Sequence, residues 1–187
     1  LPKTALVPIA NGTEELEAVT LIDTLRRAGA QVTVASVEVS LQVTASRGVK
    51  LVADLLIKDC LGQVYDLIVL PGGMPGAERL RDSSELAALL KQQAAAERLY
   101  GAICASPAVV LQHHGLIGHR RATAFPGCDE SLANRSAIQE RVVVDGPCAT
   151  SRGPGTALEF ALKLVELLFG GKKRDAIANE MLAAPHT

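Results

Sequence analysis

The sequence predicts an α/β fold on a largely parallel sheet. Short apolar runs alternate with segments of helical period, the connections between them are brief, and the available core residues are aliphatic. Tryptophan is absent and aromatics make up only 3% of the chain, so alanine, leucine and valine must fill the interior. Sheets covered by helices on both faces use such cores.

Thr4–Ala10 reads as the first buried strand, closed by Asn11-Gly12-Thr13. Pro8 lies inside it and cannot donate to a ladder, so a bulge or an irregular strand end is expected there. A helix from about Glu14 to Ala28 follows, with Leu16, Val19, Ile22 and Leu25 on one stripe and Gly29 as its stop. Its expected cap is Asn11, boxed with Glu14, or else Thr13. Gln31–Val37 is a second strand, rich in β-branched residues. Residues 40–60 are less regular and fit a small hairpin around Ser46-Arg47-Gly48. Asp66–Leu70 is a third buried strand, stopped by Pro71-Gly72-Gly73.

Ser84–Ala96 is a helix with Ser83 or Asp82 as its cap. Leu99–Ile103 is the next strand, and Ala105-Ser106-Pro107 opens another helix with proline near its start. Arg141–Val144 and Pro147–Thr150 make a hairpin that turns at Asp145-Gly146. Pro154 begins a long helix to about Phe169, and a terminal helix covers roughly Arg174–Ala183. No linker or repeat divides the 187 residues, so one domain over residues 1–187 is expected.

Nineteen basic and 20 acidic side chains give a formal charge of −1, which leaves no electrostatic footprint for nucleic acid. No apolar run approaches a membrane span, and no signal-peptide pattern opens the chain. Cys60, Cys104, Cys128 and Cys148 are far apart and form no Cys-x-x-Cys pair. That spacing argues against a disulfide framework or structural zinc and for a reducing, cytoplasmic setting.

Cys104 occupies a strand-to-helix corner, where backbone N–H groups and the helix dipole favour thiolate. An inert buried thiol is the alternative. Sites in doubly wound sheets form beyond the carboxyl ends of the strands, and three loops share that edge here. They are Asn11–Glu17, Pro71-Gly72-Gly73 and Cys104-Ala105. Glu14, Glu15 and Glu17 also suit a helix start on dipole grounds alone. Gly72 and Gly73 either permit a tight turn or present N–H groups to an oxyanion. Ser151–Thr156 opens a helix without the spacing of a nucleotide loop, and Arg152 within it is a candidate anion holder. His113 and His114 lie at the far end of the helix after Cys104, and His119 and His186 lie beyond it. No Cys–His dyad and no zinc spacing results, so a carboxyl group is the expected helper of Cys104. A protonated glutamic acid donates to thiolate, whereas an ionised one repels it.

Six blocks appear in one order: Asn11–Val19, Leu25–Gly29, Ser46–Val49, Asp66–Gly73, Ala102–Ala105 and Thr150–Thr156. Together they resemble the ThiJ/PfpI superfamily, in particular its parkinsonism-associated branch and the bacterial YajL-like proteins. The resemblance implies a flavodoxin-like three-layer α/β/α sandwich that forms a homodimer. It selects Glu17 as the acid bonded to a reactive Cys104. Gly73 and Ala105 would supply N–H groups near the sulfur, and Gly72, Arg47 and Arg152 would line or flank the pocket. Animal members of the branch carry histidine where this chain has Phe125, and the protease-like members carry histidine where it has Ala105, so peptidase activity is not expected. The implied activity is that of a deglycase or glyoxalase, free of metal and cofactor. It acts on methylglyoxal and glyoxal, or on their early adducts with protein and nucleotides, and releases lactate or glycolate. The alternatives are a redox-responsive stress protein or chaperone that uses oxidation of Cys104, and a partner-binding domain without catalysis.

Overall fold

A computed structural model describes residues 1–183, so His186 lies outside the described residues. Seven strands form the main sheet in the order β5-β2-β1-β6-β7-β9-β8. They are β1 (Thr4–Ile9), β2 (Gln31–Ser36), β5 (Leu55–Leu56), β6 (Leu67–Leu70), β7 (Leu99–Ile103), β8 (Val142–Asp145) and β9 (Cys148–Ser151). Only β8 runs antiparallel, paired with β9 across the turn expected at Asp145-Gly146. β3 (Gln42–Thr44) and β4 (Lys50–Val52) make the small separate hairpin around Ser46-Arg47-Gly48.

Alternation along the buried strands divides the core into two layers. Ala5, Val7, Leu67, Val69 and Ile103 pack with α1 (Glu15–Arg27), α4 (Ala157–Phe169) and α5 (Gly171–Glu180). Leu6, Ile68, Leu70, Tyr100 and Ala102 pack the other way, against α2 (Gly76–Asp82), α3 (Ser84–Ala95) and the helix Pro107–Gln112. The result is the expected three-layer sandwich. Chain order reverses between β1 and β6, which puts the crevice at the carboxyl ends of β1, β6 and β7.

Several local expectations change. Pro8 sits in regular β1 opposite Ala35, with no bulge. Thr4 O accepts from Asp66 N on the β6 side and Ile9 O from Val37 N on the β2 side, so alternation turns Pro8 toward β6. The β1–β6 register ends at Leu6–Ile68, before the missing donor is needed. Neither Asn11 nor Thr13 caps α1. Glu14 is the cap and accepts from Leu16 N, while Asn11 Oδ1 accepts from Thr44 N and Thr13 Oγ1 from Ala10 N.

The buried stripe of α1 is Glu17, Ala18, Leu21, Thr24 and Leu25, whereas Leu16 and Val19 remain 51% and 48% exposed. Helix period alone does not fix this rotation, which is set where the loops beside α1 meet in the folded chain and which turns Glu17 inward. The helix after Cys104 starts near Pro107 as expected but is π-wound. Ser83 caps α3 by accepting from Leu86 N. The short α2 was not anticipated. Among the described residues no helix is long and apolar enough to cross a membrane.

Candidate active site

The site grows from one left-handed residue. Cys104 has φ +65° at the end of β7, a conformation that a side chain rarely adopts. Its backbone is pinned on both sides: Cys104 N donates to Ser151 O (3.0 Å) and Phe125 N donates to Cys104 O (2.7 Å). Flanking strands and loop over-determine the strained corner, which is how such a conformation persists.

Two further loops close on it. Glu17 projects from the first turn of α1, is fully buried, and accepts from Gly72 N through Oε2 at 2.7 Å. Its Oε1 is buried without a hydrogen-bond partner, and Glu17 lies within hydrogen-bonding reach of Cys104. Gly72 has no room for a side chain: a Cβ there would fall 2.5 Å from Cys104 Cβ and 2.9 Å from Glu17 Oε2. Gly73, at φ +90°, likewise leaves no room, since a Cβ there would collide with Gly12 O and Glu14 N. The backbone N–H groups of Gly73 and Ala105 lie near enough to the Cys104 thiol to favour its ionised form.

Burial governs the protons. Desolvation lifts the Glu17 carboxyl from 4.5 to about 7, against the Gly72 N–H that favours its ionised form. Desolvation and the neighbouring Glu17 charge push the Cys104 thiol from 9.0 to about 12, more than the two N–H groups can offset. This corrects the expectation of a resting thiolate, because the corner lies in a pocket that penalises charge. Near neutrality the pair carries at most one negative charge, and the lower value of the carboxyl keeps that charge on oxygen.

The three acids separate in space. Glu14 caps α1, Glu15 Oε1 accepts from Arg47 N (2.8 Å), and Ser46 Oγ lies 2.9 and 2.8 Å from the two carboxylates. Only Glu17 enters the pocket. Arg47 is exposed on the β3–β4 turn, and neither its guanidinium nor that of Arg152 hydrogen-bonds to Cys104 or Glu17. Arg152 lines an adjoining groove of about 240 Å³ with Phe125, Gly153 and Arg141, and its Nε is buried without a partner among the described residues. His114 Nε2 lies 2.9 Å from Arg81 O, away from Cys104.

Sequence reasoning missed the residues that hold the loops. Ser106 Oγ donates to Pro71 O at 2.6 Å, fixing the glycine loop to the Cys104 helix. Ser151 and Phe125 act through their backbones, which no residue pattern reveals. Cys60, Cys128 and Cys148 are free thiols pushed up by burial. Among the described residues no cluster of three or more His, Cys, Asp or Glu side chains is arranged to hold a metal ion.

The relatives agree with this architecture. Protein DJ-1 homolog B of Arabidopsis thaliana is 55% identical over 168 residues, which is 90% of this chain and 38% of that protein. The chain likewise spans only 47% of the Arabidopsis homolog A, but it covers 99% of Drosophila melanogaster dj-1beta at 40% identity over 98% of its own length. The solved Toxoplasma gondii DJ-1, described as oxidized, is 49% identical with a TM-score of 0.94 over 98% of this chain and 100% of that one. A Caenorhabditis elegans relative, 36% identical over 91% of each chain, is named glutathione-independent glyoxalase DJR-1.2. Residues 3–167 match the DJ-1/PfpI family. With that match and these relatives, the chain belongs to the DJ-1/PfpI family.

Proposed function

We propose that this protein is a cysteine-dependent glyoxalase or deglycase. Its substrates are methylglyoxal and glyoxal, or their early adducts on protein and nucleotide groups, and its products are lactate or glycolate. One observation carries the reading: a strained thiol shares a buried pocket with a single carboxyl group poised near neutrality. The name of the worm relative supports the reaction class.

Glu17 as carboxylate takes the thiol proton while Cys104 Sγ bonds to the aldehyde carbon, giving a hemithioacetal whose oxygen the same proton neutralises. The N–H groups of Gly73 and Ala105 sit where they stabilise developing charge. Glu17 then removes the proton from that carbon and returns it to the adjacent one, while the hydroxyl proton passes to the adjacent oxygen, which converts the hemithioacetal to a thioester. Water hydrolyses the thioester, releasing the hydroxyacid and restoring the thiol. In the hemiaminal of an adduct, the amine departs with a proton as sulfur bonds. The net reaction consumes one water and no oxidant, and it uses no metal or organic cofactor. Arg47 and Arg152 are assigned to the pocket rim, where they attract the product carboxylate, and Gly72 forms its floor.

Lactate yield and chirality from methylglyoxal, compared with amine and thiol adducts, tests this reading. Cys104→Ser and Glu17→Gln are both expected to abolish product. Wild type without lactate, or Cys104→Ser equal to wild type, overturns it.

A second reading, redox sensing through Cys104, draws on the oxidized state named for the Toxoplasma neighbour. Peroxide would add two oxygens to Cys104 as sulfinate, with protonated Glu17 donating to it. Intact mass after mild peroxide decides between the readings. A homodimer is proposed through the apolar residues exposed on α1 and the β3–β4 hairpin, Leu16, Val19, Val49 and Val52. A cytoplasmic location, no stable nucleic-acid or membrane partner, and kinship with the bacterial YajL-like group complete the proposal.

A further inference from the structure

The seam between the two loops beside Cys104 is mostly backbone, with the Pro75 ring seated against Gly12. A Cβ on Gly12 would lie 2.5 Å from Pro75 Cδ, and one on Gly76 would lie 2.5 Å from Thr13 N. Glu14 N donates to Gly72 O across it at 2.9 Å. Neither Gly12 nor Gly76 can therefore carry a side chain into the seam. Outside it, the Glu38 carboxylate touches both sides. Glu38, just past β2, accepts from Asn11 N (3.1 Å) on the loop before α1. It also pairs in bidentate fashion with Arg79 on α2, with Nη2–Oε2 at 2.5 Å. The Glu38 side chain is only 11% exposed and Arg79 47%, so this pair is more enclosed than an ordinary surface bridge.

We propose that Glu38 and Arg79 are positioning residues that clamp the loop before α1 to α2, and so hold Glu17 against Gly72 and Cys104. This rests on reading Cys104 and Glu17 as the reacting pair. Glu17 lies in the first turn of α1, and Gly72 precedes α2 by four residues, so relative motion of the two helix starts acts directly on the Glu17–Gly72 bond. The other charges around the clamp are Asp82 and Glu85 across a polar cleft. Those facing the thiol are Glu17, and Glu14 behind it. Releasing the clamp admits water to the pocket, which relaxes the desolvation of both groups while alignment is lost. Two readouts must then move in opposite directions: the thiol alkylates faster, and turnover slows.

The test compares wild type with Glu38→Gln, Arg79→Met, the double variant and Arg79→Lys. Iodoacetamide labelling of Cys104 is followed by peptide mass from pH 6 to 10, alongside lactate formation from methylglyoxal and thermal unfolding. The single variants are expected to lower the apparent thiol pKa by about one unit, which is about tenfold more thiolate at a given pH below it. A fall in kcat/KM of roughly 5- to 10-fold accompanies it. The double variant is expected to be no worse than either single, because both remove one clamp, and Arg79→Lys to recover part of the profile. An unchanged labelling profile with a lower Tm, or additive losses in the double variant, overturns the clamp. If wild type makes no lactate, the reading of the reaction fails, yet the labelling shift still decides the clamp.

Discussion

Replacing Glu17 by Gln removes one titration from the core at almost constant shape. Gln keeps an oxygen to accept from Gly72 N and fills the same volume, but it cannot ionise. In wild type the folded carboxyl titrates near 7, against 4.5 for an ordinary glutamate. The fold therefore favours the protonated form. The stability contributed by that preference is fully present below about pH 4.5 and is lost as pH rises to 7. The interval of about 2.5 units at ~1.36 kcal/mol each corresponds to roughly 3 kcal/mol. Cys104, lifted from 9.0 to about 12, adds its own loss only above pH 9. Urea unfolding at pH 5, 6, 7 and 8 isolates the effect, since other titrations cancel between the two proteins. Relative to wild type, the Gln variant should gain roughly 2–3 kcal/mol between pH 5 and pH 8. Parallel curves, within ~0.5 kcal/mol over that range, would refute the claim that burial holds a proton on Glu17.

Gly72→Ala places a methyl group against Cys104 Cβ and Glu17 Oε2. It should cost about 1–3 kcal/mol in urea unfolding and lower turnover at least ~10-fold, because a shift of ~1 Å at reacting atoms suffices. Thr13→Val removes the hydroxyl that accepts from buried Ala10 N, and a loss of about 1–3 kcal/mol is expected from the orphaned donor. Ser83→Ala should lower stability by about 1 kcal/mol through its lost cap. That change lies on α3, outside the three site loops, so the pH profile of Cys104 alkylation should match wild type.

Much of the fold was legible because local chemistry repeats at short range. The apolar runs around Leu67–Leu70 and Leu99–Ile103, the turn at Asp145-Gly146 and the cap at Ser83 each depend on neighbours a few residues away. The corner at Cys104 was legible too, since a strand ending on a thiol followed by Pro107 leaves few alternatives. The choice among Glu14, Glu15 and Glu17 was not legible from spacing, since all three satisfy the helix dipole. It depends on how α1 is rotated, and that rotation is set by loops that meet only in the folded chain. The same rotation exposes Leu16 and Val19, which helical period alone had placed inside. Pro8 is tolerated because the β6 register stops short of it, a fact of strand pairing that the β1 segment does not contain.

By itself the sequence determined that a thiol would stand at a strand-to-helix corner of a parallel sheet, among acids and glycines. The family resemblance pointed to Glu17, but the tertiary structure supplies the physical reason why that acid meets the thiol and where the proton rests. Desolvation is summed over three converging loops and two packed layers, and no single segment holds that sum.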